Sequence, residues 1–378
     1  MKVCLINNFP PYSGTGRIPY ALFKYLNKIE TIQADLVCTH VMQKEEFSWL
    51  ENEKVHFLQK FAYKDHENLS RFLIYFVDPH KIPKGYDLYH VTNHMLARYT
   101  KFRKPSVVTL HDVLQFKYKD KLGGSLISKI YSNLMLKSIA SVKEANAVIC
   151  VSEWSRLEAI KLLGLDPNKT FAIQNGLDHD LFHPHDKEKS REDLKLPKDK
   201  KIILNVGSEI ERKNLDGVLK AFLEISKNRK DVLLVRLGEK TEKYDAMIKE
   251  LGLTDIVVYL EKLKDEEVAK LYSASDLLIM PSFEEGFGLP IIEAMACGCP
   301  VVTSNVGAMK EVTNDAGFLV DPNDLESIQK GMEAVLNLDS NDTYKLVQAG
   351  LKRAGEFSWK KCAEDTIRVY EKVLGNKL

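Results

Sequence analysis

Two carboxylates flank a glycine-rich segment in the second half of the sequence. From Pro281 to Val302 the chain reads PSFEEGFGLPIIEAMACGCPVV, a pattern that predicts a strand, a loop, a helix and a second strand. Gly286 and Gly288 would let the backbone approach a ligand closely. Glu285 precedes this loop and Glu293 follows eight residues later, so that their carboxylates suit a ligand with hydroxyl groups on both sides of an anion.

The start of the predicted helix offers the anion site itself. Pro290 suits the first helical position. We expect free N–H groups at Gly288, Leu289 and Ile291, which together with the helix dipole would bind phosphate. A nucleoside-diphosphate sugar has this chemistry, with hydroxyls at both ends and phosphates between. The alternative is an ordinary helix N-terminus with acidic partners.

A second charged segment follows another strand, in the sequence NVGSEIERKNLDG. The strand ends at Gly207, and Asn214 is a good N-cap for the next helix. Arg212 and Lys213 lie in the loop between them, where two cations would neutralise a diphosphate leaving group. The alternative is a solvated charged loop.

A glycine pair near the N-terminus resembles part of a dinucleotide-binding loop. Gly14 and Gly16 follow the first predicted strand, but Pro19 occupies the place of the third glycine. The second strand ends in Thr39-His40 rather than in an acidic residue, which argues against a nicotinamide site. A plain structural turn remains the alternative for this loop.

Histidine and aspartate residues supply the remaining candidates. His111 and Asp112 end a predicted strand, and His111 is a candidate for the catalytic site, although a single histidine is more often structural. His90 and His94 are candidates for the edge of a ligand-binding cleft at the carboxyl ends of the strands. The segment Asp178–Asp180, Asp-His-Asp, matches a metal–nucleotide pattern, but it lies in a predicted linker, and we do not assign a metal there.

The elements that must position these residues alternate between strands and amphipathic helices. The alternation runs from Val3 to Gln174, is interrupted by the polar segment 175–201, and restarts at Ile202. Such alternation predicts parallel sheets covered on both faces. We therefore expect two α/β domains, 1–178 with about 357–378 and 179–356, with ligands at the carboxyl ends of the strands.

Composition narrows the classes of function. Net charge is +1 over 378 residues, which argues against a nucleic-acid-binding protein. Residues 1–180 contain 24 Lys and Arg against 18 Asp and Glu, whereas the remainder contains 30 against 35. The basic half is either a solvated face or a surface for an anionic acceptor or lipid headgroups. Six scattered cysteines and the absence of a long apolar run favour a cytoplasmic protein.

The segment EGFGLP, the second glutamate, AMACG and PVV together resemble the retaining glycosyltransferases of family four, which have the GT-B fold. The resemblance spans both domains and is strongest over about residues 202–320. It implies two Rossmann-like, doubly wound domains that face each other across a cleft, with a C-terminal helix that returns to the N-terminal domain.

The resemblance also implies roles for individual residues. Glu285 would contact the donor hexose and Glu293 the ribose, Arg212 and Lys213 the diphosphate, and His111 the transferred sugar. The other implied donor-binding positions are Gly14, Gly16, Ser208, Gly238, Leu263, Phe287, Gly288 and Leu289. Many family members have Arg where this chain has Ser208, and Glu261 replaces a frequent glycine before the base-reading turn.

The resemblance thus implies a retaining hexosyltransferase that needs no cofactor or metal ion. Its donor would be GDP-mannose or a UDP-hexose, and its acceptor a glycan or a lipid-linked acceptor in cell-envelope or glycoconjugate synthesis. We also expect peripheral contact of the basic N-terminal domain with the inner face of the cell membrane. The alternatives are a GT-B epimerase or phosphorylase and, in another class, a non-catalytic nucleotide- or glycan-binding protein.

Overall fold

The structure is a computed structural model that describes residues 1–9, 16–39, 54–58, 78–118 and 126–375, with the side chains of 126–128 left out. The chain forms two compact units. The N-terminal unit contains Met1–Gly176 together with Trp359–Leu378, and the C-terminal unit contains Leu177–Ser358. The chain therefore leaves the first unit once and returns to it once.

The N-terminal unit is built on a parallel sheet. Its strands are β1 (Lys2–Asn7), β2 (Gln33–Cys38), β3 (Val55–Phe57), β4 (Leu88–Val91), β5 (Ser106–Leu110), β6 (Ala147–Cys150) and β7 (Thr170–Ala172). They are arranged in the order β3-β2-β1-β4-β5-β6-β7. The order reverses between β1 and β4, which creates a crevice at their carboxyl ends.

The C-terminal unit repeats this plan. Its strands are β8 (Lys201–Val206), β9 (Val232–Leu237), β10 (Val257–Leu260), β11 (Leu277–Met280), β12 (Val301–Ser304) and β13 (Phe318–Val320). Their order is β10-β9-β8-β11-β12-β13, and all pairs are parallel. The prediction of two Rossmann-like parallel sheets is confirmed. The central strands are continuous apolar runs because helices cover both faces.

Helices connect the strands in both units. In the described part of the chain they are α1 (Arg17–Leu26), α2 (Leu114–Lys117), α3 (Leu126–Ala140), α4 (Glu153–Leu163), α5 (Lys187–Asp193), α6 (Leu215–Asn228), α7 (Glu242–Glu250), α8 (Asp265–Ala274), α9 (Leu289–Ala296), α10 (Gly307–Thr313), α11 (Leu325–Leu336), α12 (Ser340–Ala354) and α13 (Trp359–Leu374). None of them is long and apolar enough to cross a membrane.

The last helix belongs to the N-terminal unit, where α13 packs against α1 and β6. A buried polar link fastens it to the sheet. The Nδ1 atom of His90 on β4 lies 2.6 Å from the Tyr370 hydroxyl on α13, and its Nε2 atom lies 2.7 Å from the Thr109 hydroxyl. His90 is fully buried, and burial lowers its pKa to about 3. Both ring nitrogens of His90 are thus engaged within the N-terminal unit, where they join β4 to β5 and α13.

The segment 175–201 is not the plain linker that its composition predicts. It contains α5, whose N-cap Asp186 accepts a hydrogen bond from the Lys189 N–H at 2.7 Å. Arg191 on α5 is buried and pairs with Asp276 at 2.8 Å. This ion pair fixes the segment to the C-terminal unit.

Candidate active site

Two loops meet at the switch point of the C-terminal sheet, where the strand order reverses between β8 and β11. The loop after β8 carries Arg212 and Lys213, and the loop after β11 carries Glu285. Ligands in open α/β sheets bind at this place. The fold therefore brings together three of the four residues that the sequence assigns to catalysis.

Glu285 forms ion pairs with both cations. Its Oε2 atom lies 2.6 Å from Arg212 Nη1, and its Oε1 atom lies 2.5 Å from Lys213 Nζ. The carboxylate is buried, whereas the Arg212 side chain is 31% exposed and faces solvent in part. Burial alone would raise the pKa of Glu285, but Lys213 and Arg212 hold it below its ordinary value. The cluster keeps one net positive charge for an anionic ligand.

Backbone contacts hold the two loops together. The Phe283 N–H donates to the Arg212 carbonyl at 2.8 Å, and Arg212 Nη1 donates to the Glu284 carbonyl at 3.1 Å. The Lys213 side chain lies against Gly207, whose φ of 130° is in the glycine-favouring region. The main chain of the loop after β11 therefore holds Arg212, and the Lys213 side chain packs on the turn after β8.

Asn214 caps α6, as predicted, and does more. Its side chain accepts from the Gly217 N–H at 3.2 Å and donates to the carbonyls of Pro281 and Pro322 at 3.1 and 2.8 Å. Its backbone is left-handed, with φ of 54°. One buried amide thus joins the cap of α6 to the end of β11.

The helix after the glycine-rich loop begins one residue earlier than predicted. Leu289 is its first residue, so Pro290 is the second, and Gly288 precedes it with φ of 106°. The Ile291 N–H is not free, since it donates to the Gly288 carbonyl at 2.9 Å. The N–H groups of Gly288 and Leu289 donate to no carbonyl in the described part of the chain, and the anion site reduces to these two.

Glu293 lies one turn into α9 and is buried. It accepts a hydrogen bond from the Tyr272 hydroxyl on α8 at 2.9 Å. Phe287 is buried in the loop, with its ring edge-on to Phe357 at 5.8 Å between centroids. The Phe287 side chain therefore packs inside the unit, and only the main chain of Phe287 is left for the predicted contact with the donor.

The turns after β8 and β9 touch at two glycines. A Cβ atom at Gly238 would lie 2.4 Å from the Gly207 carbonyl oxygen, so only glycine fits there. The residues predicted on the nucleotide side are less constrained. Ser208 is exposed, Leu263 is half-buried, and the carboxylate of Glu261 accepts from the Lys240 N–H at 3.1 Å.

Sequence reasoning missed a polar network beneath these turns. Arg236 on β9 is buried and donates to the Gly207 carbonyl at 2.9 Å and to the side chain of Asn205. Glu209 accepts from the Tyr259 hydroxyl at 2.5 Å and from the Thr241 N–H at 2.7 Å. The signal in the sequence was a charge inside the apolar run VLLVRL and an amide inside KIILNV.

The fourth catalytic candidate, His111, lies in the N-terminal unit at the end of β5. Its Nε2 atom donates to the Thr92 carbonyl at 2.9 Å, and its ring centroid lies 6.3 Å from that of His94. Burial and the neighbouring His94 lower its pKa to about 4, so the ring is uncharged at neutral pH. Asp112 shapes the turn by accepting from the Leu114 N–H at 3.0 Å.

Of the two glycines in the N-terminal loop, the structure describes only Gly16. Gly14 lies outside the described residues, and Gly16 precedes α1 as its N-cap. The carboxylate of Asp178 accepts from the Asp180 N–H at 3.2 Å, as in a local turn. Within the described ranges, no group of three or more His, Cys, Asp or Glu could hold a metal ion.

Comparison with known proteins decides the family. Residues 186–353 match the family described as Glycosyl transferases group 1, and residues 12–181 match Glycosyltransferase Family 4. O-antigen chain mannosyltransferase B of Escherichia coli is 31% identical over 285 residues, which cover 70% of each chain. The chain belongs to the family-four glycosyltransferases.

Two further similarities show how far this likeness extends. D-inositol 3-phosphate glycosyltransferase 2 of Catenulispora acidiphila is 31% identical over 251 residues. The matched region covers 61% of this chain and only 57% of that relative's own length. The structure of Anabaena HepE in complex with UDP and glucose has a TM-score of 0.75 and 19% identity, with coverage of 98% of this chain and 100% of that chain. The GT-B fold predicted from the sequence is thus confirmed.

Proposed function

We propose that this glycosyltransferase moves a hexose from a nucleoside-diphosphate sugar to a glycan or lipid-linked acceptor, with retention of the anomeric configuration. The observation that carries the proposal is the Arg212–Glu285–Lys213 cluster at the switch point of the C-terminal sheet. A diphosphate leaving group needs fixed positive charge, and two cations offset by one carboxylate supply it.

The donor would lie along the same edge of the sheet. The N–H groups of Gly288 and Leu289 would donate to a phosphate, and Glu293 would accept from ribose hydroxyls. Binding of the donor would draw Arg212 and Lys213 toward the diphosphate and free Glu285 for the hexose. GDP-mannose and UDP-hexoses are the donors we favour, since one relative is a mannosyltransferase and the neighbouring HepE structure holds UDP and glucose.

His111 would act on the sugar from the N-terminal unit. A positive charge develops on the sugar ring in glycosyl transfer. An uncharged imidazole does not repel it, and the lowered pKa of His111 keeps the ring in that form at neutral pH. We propose that the leaving phosphate takes the acceptor's proton and that the reaction needs no metal ion, because Arg212 and Lys213 supply the positive charge.

The acceptor side rests on the charge distribution. Residues 1–180 are net basic and the remainder is net acidic. We propose that the basic half binds an anionic or lipid-linked acceptor and contacts the membrane peripherally from the cytoplasm. A relative that is named for inositol 3-phosphate is consistent with a phosphate-bearing acceptor.

The proposal is tested with Glu285→Gln and Lys213→Met. The first step is a thermal-shift screen against UDP-, GDP- and ADP-sugars, and turnover is then measured with the donor that binds. Glu285→Gln is expected to keep nucleotide binding and to lose turnover by roughly 10²-fold or more. Lys213→Met is expected to weaken binding of the nucleoside diphosphate as well.

The control is Lys352→Met, an exposed lysine on α12. Full turnover in both site variants would contradict the assignment. Conversion of the nucleotide sugar without an acceptor would indicate an epimerase, dependence on inorganic phosphate a phosphorylase, and binding without turnover a non-catalytic protein.

A further inference from the structure

An open groove of about 380 Å³ lies on the N-terminal unit, between the 3-10 helix His94–Lys101 and α3. Lys101 leads into β5 and Ser141 leads toward β6, so the groove faces the amino ends of these strands, whereas His111 lies at a carboxyl end. We call it the basic groove. It is lined by Arg98, Lys101, Leu134, Lys137, Ser138, Ala140 and Ser141.

The charges that line the basic groove are all positive. Arg98, Lys101 and Lys137 contribute them, and no carboxylate is among the lining residues. Arg98 is held over the Tyr99 ring, 5.0 Å from its centroid. Lys101 and Lys137 are exposed, and neither forms an ion pair with a carboxylate in the described ranges. The groove therefore attracts anions.

The hydroxyl groups of the groove are already engaged. Ser138 Oγ donates to the Met95 carbonyl at 2.6 Å, and Ser141 Oγ donates to the Lys137 carbonyl at 3.0 Å. A soluble phosphate is usually surrounded by N–H and hydroxyl donors. Among the side chains that line the groove, Lys101 and Lys137 remain as donors, and both are exposed, as contact with a phosphate in a membrane surface requires.

Two large apolar side chains are exposed close in sequence to residues of the groove. Phe102 follows Lys101 and is 46% exposed, and Ile130 is 44% exposed one helical turn before Leu134. Exposed apolar side chains interleaved with lysines are typical of surfaces that lie in the interfacial region of a bilayer. Lysine stems add apolar contact while their ammonium groups stay with the headgroups.

We infer that the basic groove binds the phosphate headgroup of an anionic phospholipid, with Phe102 and Ile130 in contact with the glycerol and acyl region. The inference rests on the membrane contact proposed above and assigns it to these residues. It concerns a surface that takes no part in donor binding, so that the Glu285 experiment tests the transfer reaction separately.

The test is vesicle sedimentation of the full chain, with phosphatidylcholine vesicles with and without phosphatidylglycerol. The wild-type chain is expected to bind only the vesicles with phosphatidylglycerol, and less well at high salt. The double variant Lys101→Gln/Lys137→Gln is expected to lower the partition coefficient by roughly thirtyfold. Phe102→Ser/Ile130→Ser is expected to lower it as well, without altering its salt dependence.

The matched control is Lys220→Gln/Lys352→Gln, which removes two exposed lysines of the C-terminal unit and should leave vesicle binding unchanged. Melting temperatures and thermal shifts with UDP and GDP verify that each variant is folded. Equal losses in both lysine pairs, or none in the groove pair, would overturn the assignment to the groove. Failure of the wild-type chain to bind any vesicle would overturn the membrane contact too, as would saturation of the groove by soluble glycerol 3-phosphate in place of vesicles.

Discussion

At the level of single residues, Arg236 supports the turn that follows β8. Its guanidinium donates to the Gly207 carbonyl and to Asn205, and Lys213 packs on Gly207. Because Arg236 is buried, it acts through these neighbours and is a positioning residue. Lysine would not replace it, because only a guanidinium provides several donors in a planar fork.

We expect Arg236→Met to destabilise the C-terminal unit by about 1–3 kcal/mol, since it leaves buried acceptors without donors. We also expect the KM for the donor to rise more than kcat falls. Urea unfolding and initial-rate kinetics measure these effects. Arg368→Met, on an exposed part of α13, is the control. An unchanged KM together with the expected loss of stability would mean that Arg236 serves only the fold.

His90, His94 and His111 make the N-terminal unit sensitive to acid. Burial lowers their pKa values to about 3, 4 and 4. Below an ordinary histidine pKa of about 6.5 the unfolded chain binds protons that the folded chain does not. The stability that these residues contribute is therefore complete above pH 6.5 and is lost as the pH falls toward 4.

We expect the melting temperature of the N-terminal unit to fall as the pH is lowered from 6.5 to 4. The variant His94→Asn is expected to reduce this dependence of the melting temperature on pH. NMR titration of the histidine Cε1–H signals provides a direct measurement. A titration of His111 near pH 6.5 would contradict its buried, uncharged state and with it the role proposed above.

At the level of elements, α13 is held to the N-terminal sheet by the Tyr370 hydroxyl. Tyr370→Phe leaves His90 Nδ1 buried without its partner, which costs about 1–3 kcal/mol. Urea unfolding of the full chain is the measurement. Tyr344→Phe, on an exposed part of α12, should have no effect. Equal stability of the two variants would show that packing alone fastens α13.

The sequence predicts an element well when the pattern that specifies it lies within the element itself. The apolar runs Leu88–Val91 and Val232–Leu237 are strands, and Asn214 caps α6 as its residue type indicates. The three-residue strands β3 and β13 are too short to show a pattern. Helix α12 also gives little signal, since it buries few residues and follows a polar segment.

In the candidate site, too, local features could be predicted from the sequence and long-range contacts could not. The placement of Glu285, Arg212 and Lys213 at one sheet edge follows from parallel strands and could be predicted. The pairing of Arg236 with Asn205, or of Arg191 with Asp276, depends on contacts between residues 31 and 85 positions apart, which no local pattern reveals. The Ile291 N–H was expected to be free because the start of α9 was placed one residue too late.

At the scale of the whole molecule, the C-terminal unit is one continuous segment of the chain, whereas the N-terminal unit consists of two segments. The hydrophobic core of the C-terminal unit draws only on residues within its own continuous segment. The N-terminal unit needs α13, which comes after the C-terminal unit in sequence. The C-terminal unit should therefore be able to fold by itself.

We expect fragment 177–358 to unfold cooperatively in urea and to give a thermal shift with UDP or GDP. Fragment 1–176, without α13, should be much less stable than the same unit in the full chain. Circular dichroism measures both. A fragment 177–358 without a cooperative transition would contradict the division of the chain.

The six cysteines give these units an internal reporter. All are buried free thiols, and burial raises their pKa values, to about 12 for Cys38, Cys150 and Cys362. Four lie in the N-terminal unit and two, Cys297 and Cys299, in the C-terminal unit. Because a thiol reacts only when it is exposed and ionised, alkylation followed by peptide mapping would tell which unit opens first, without any substitution in the chain.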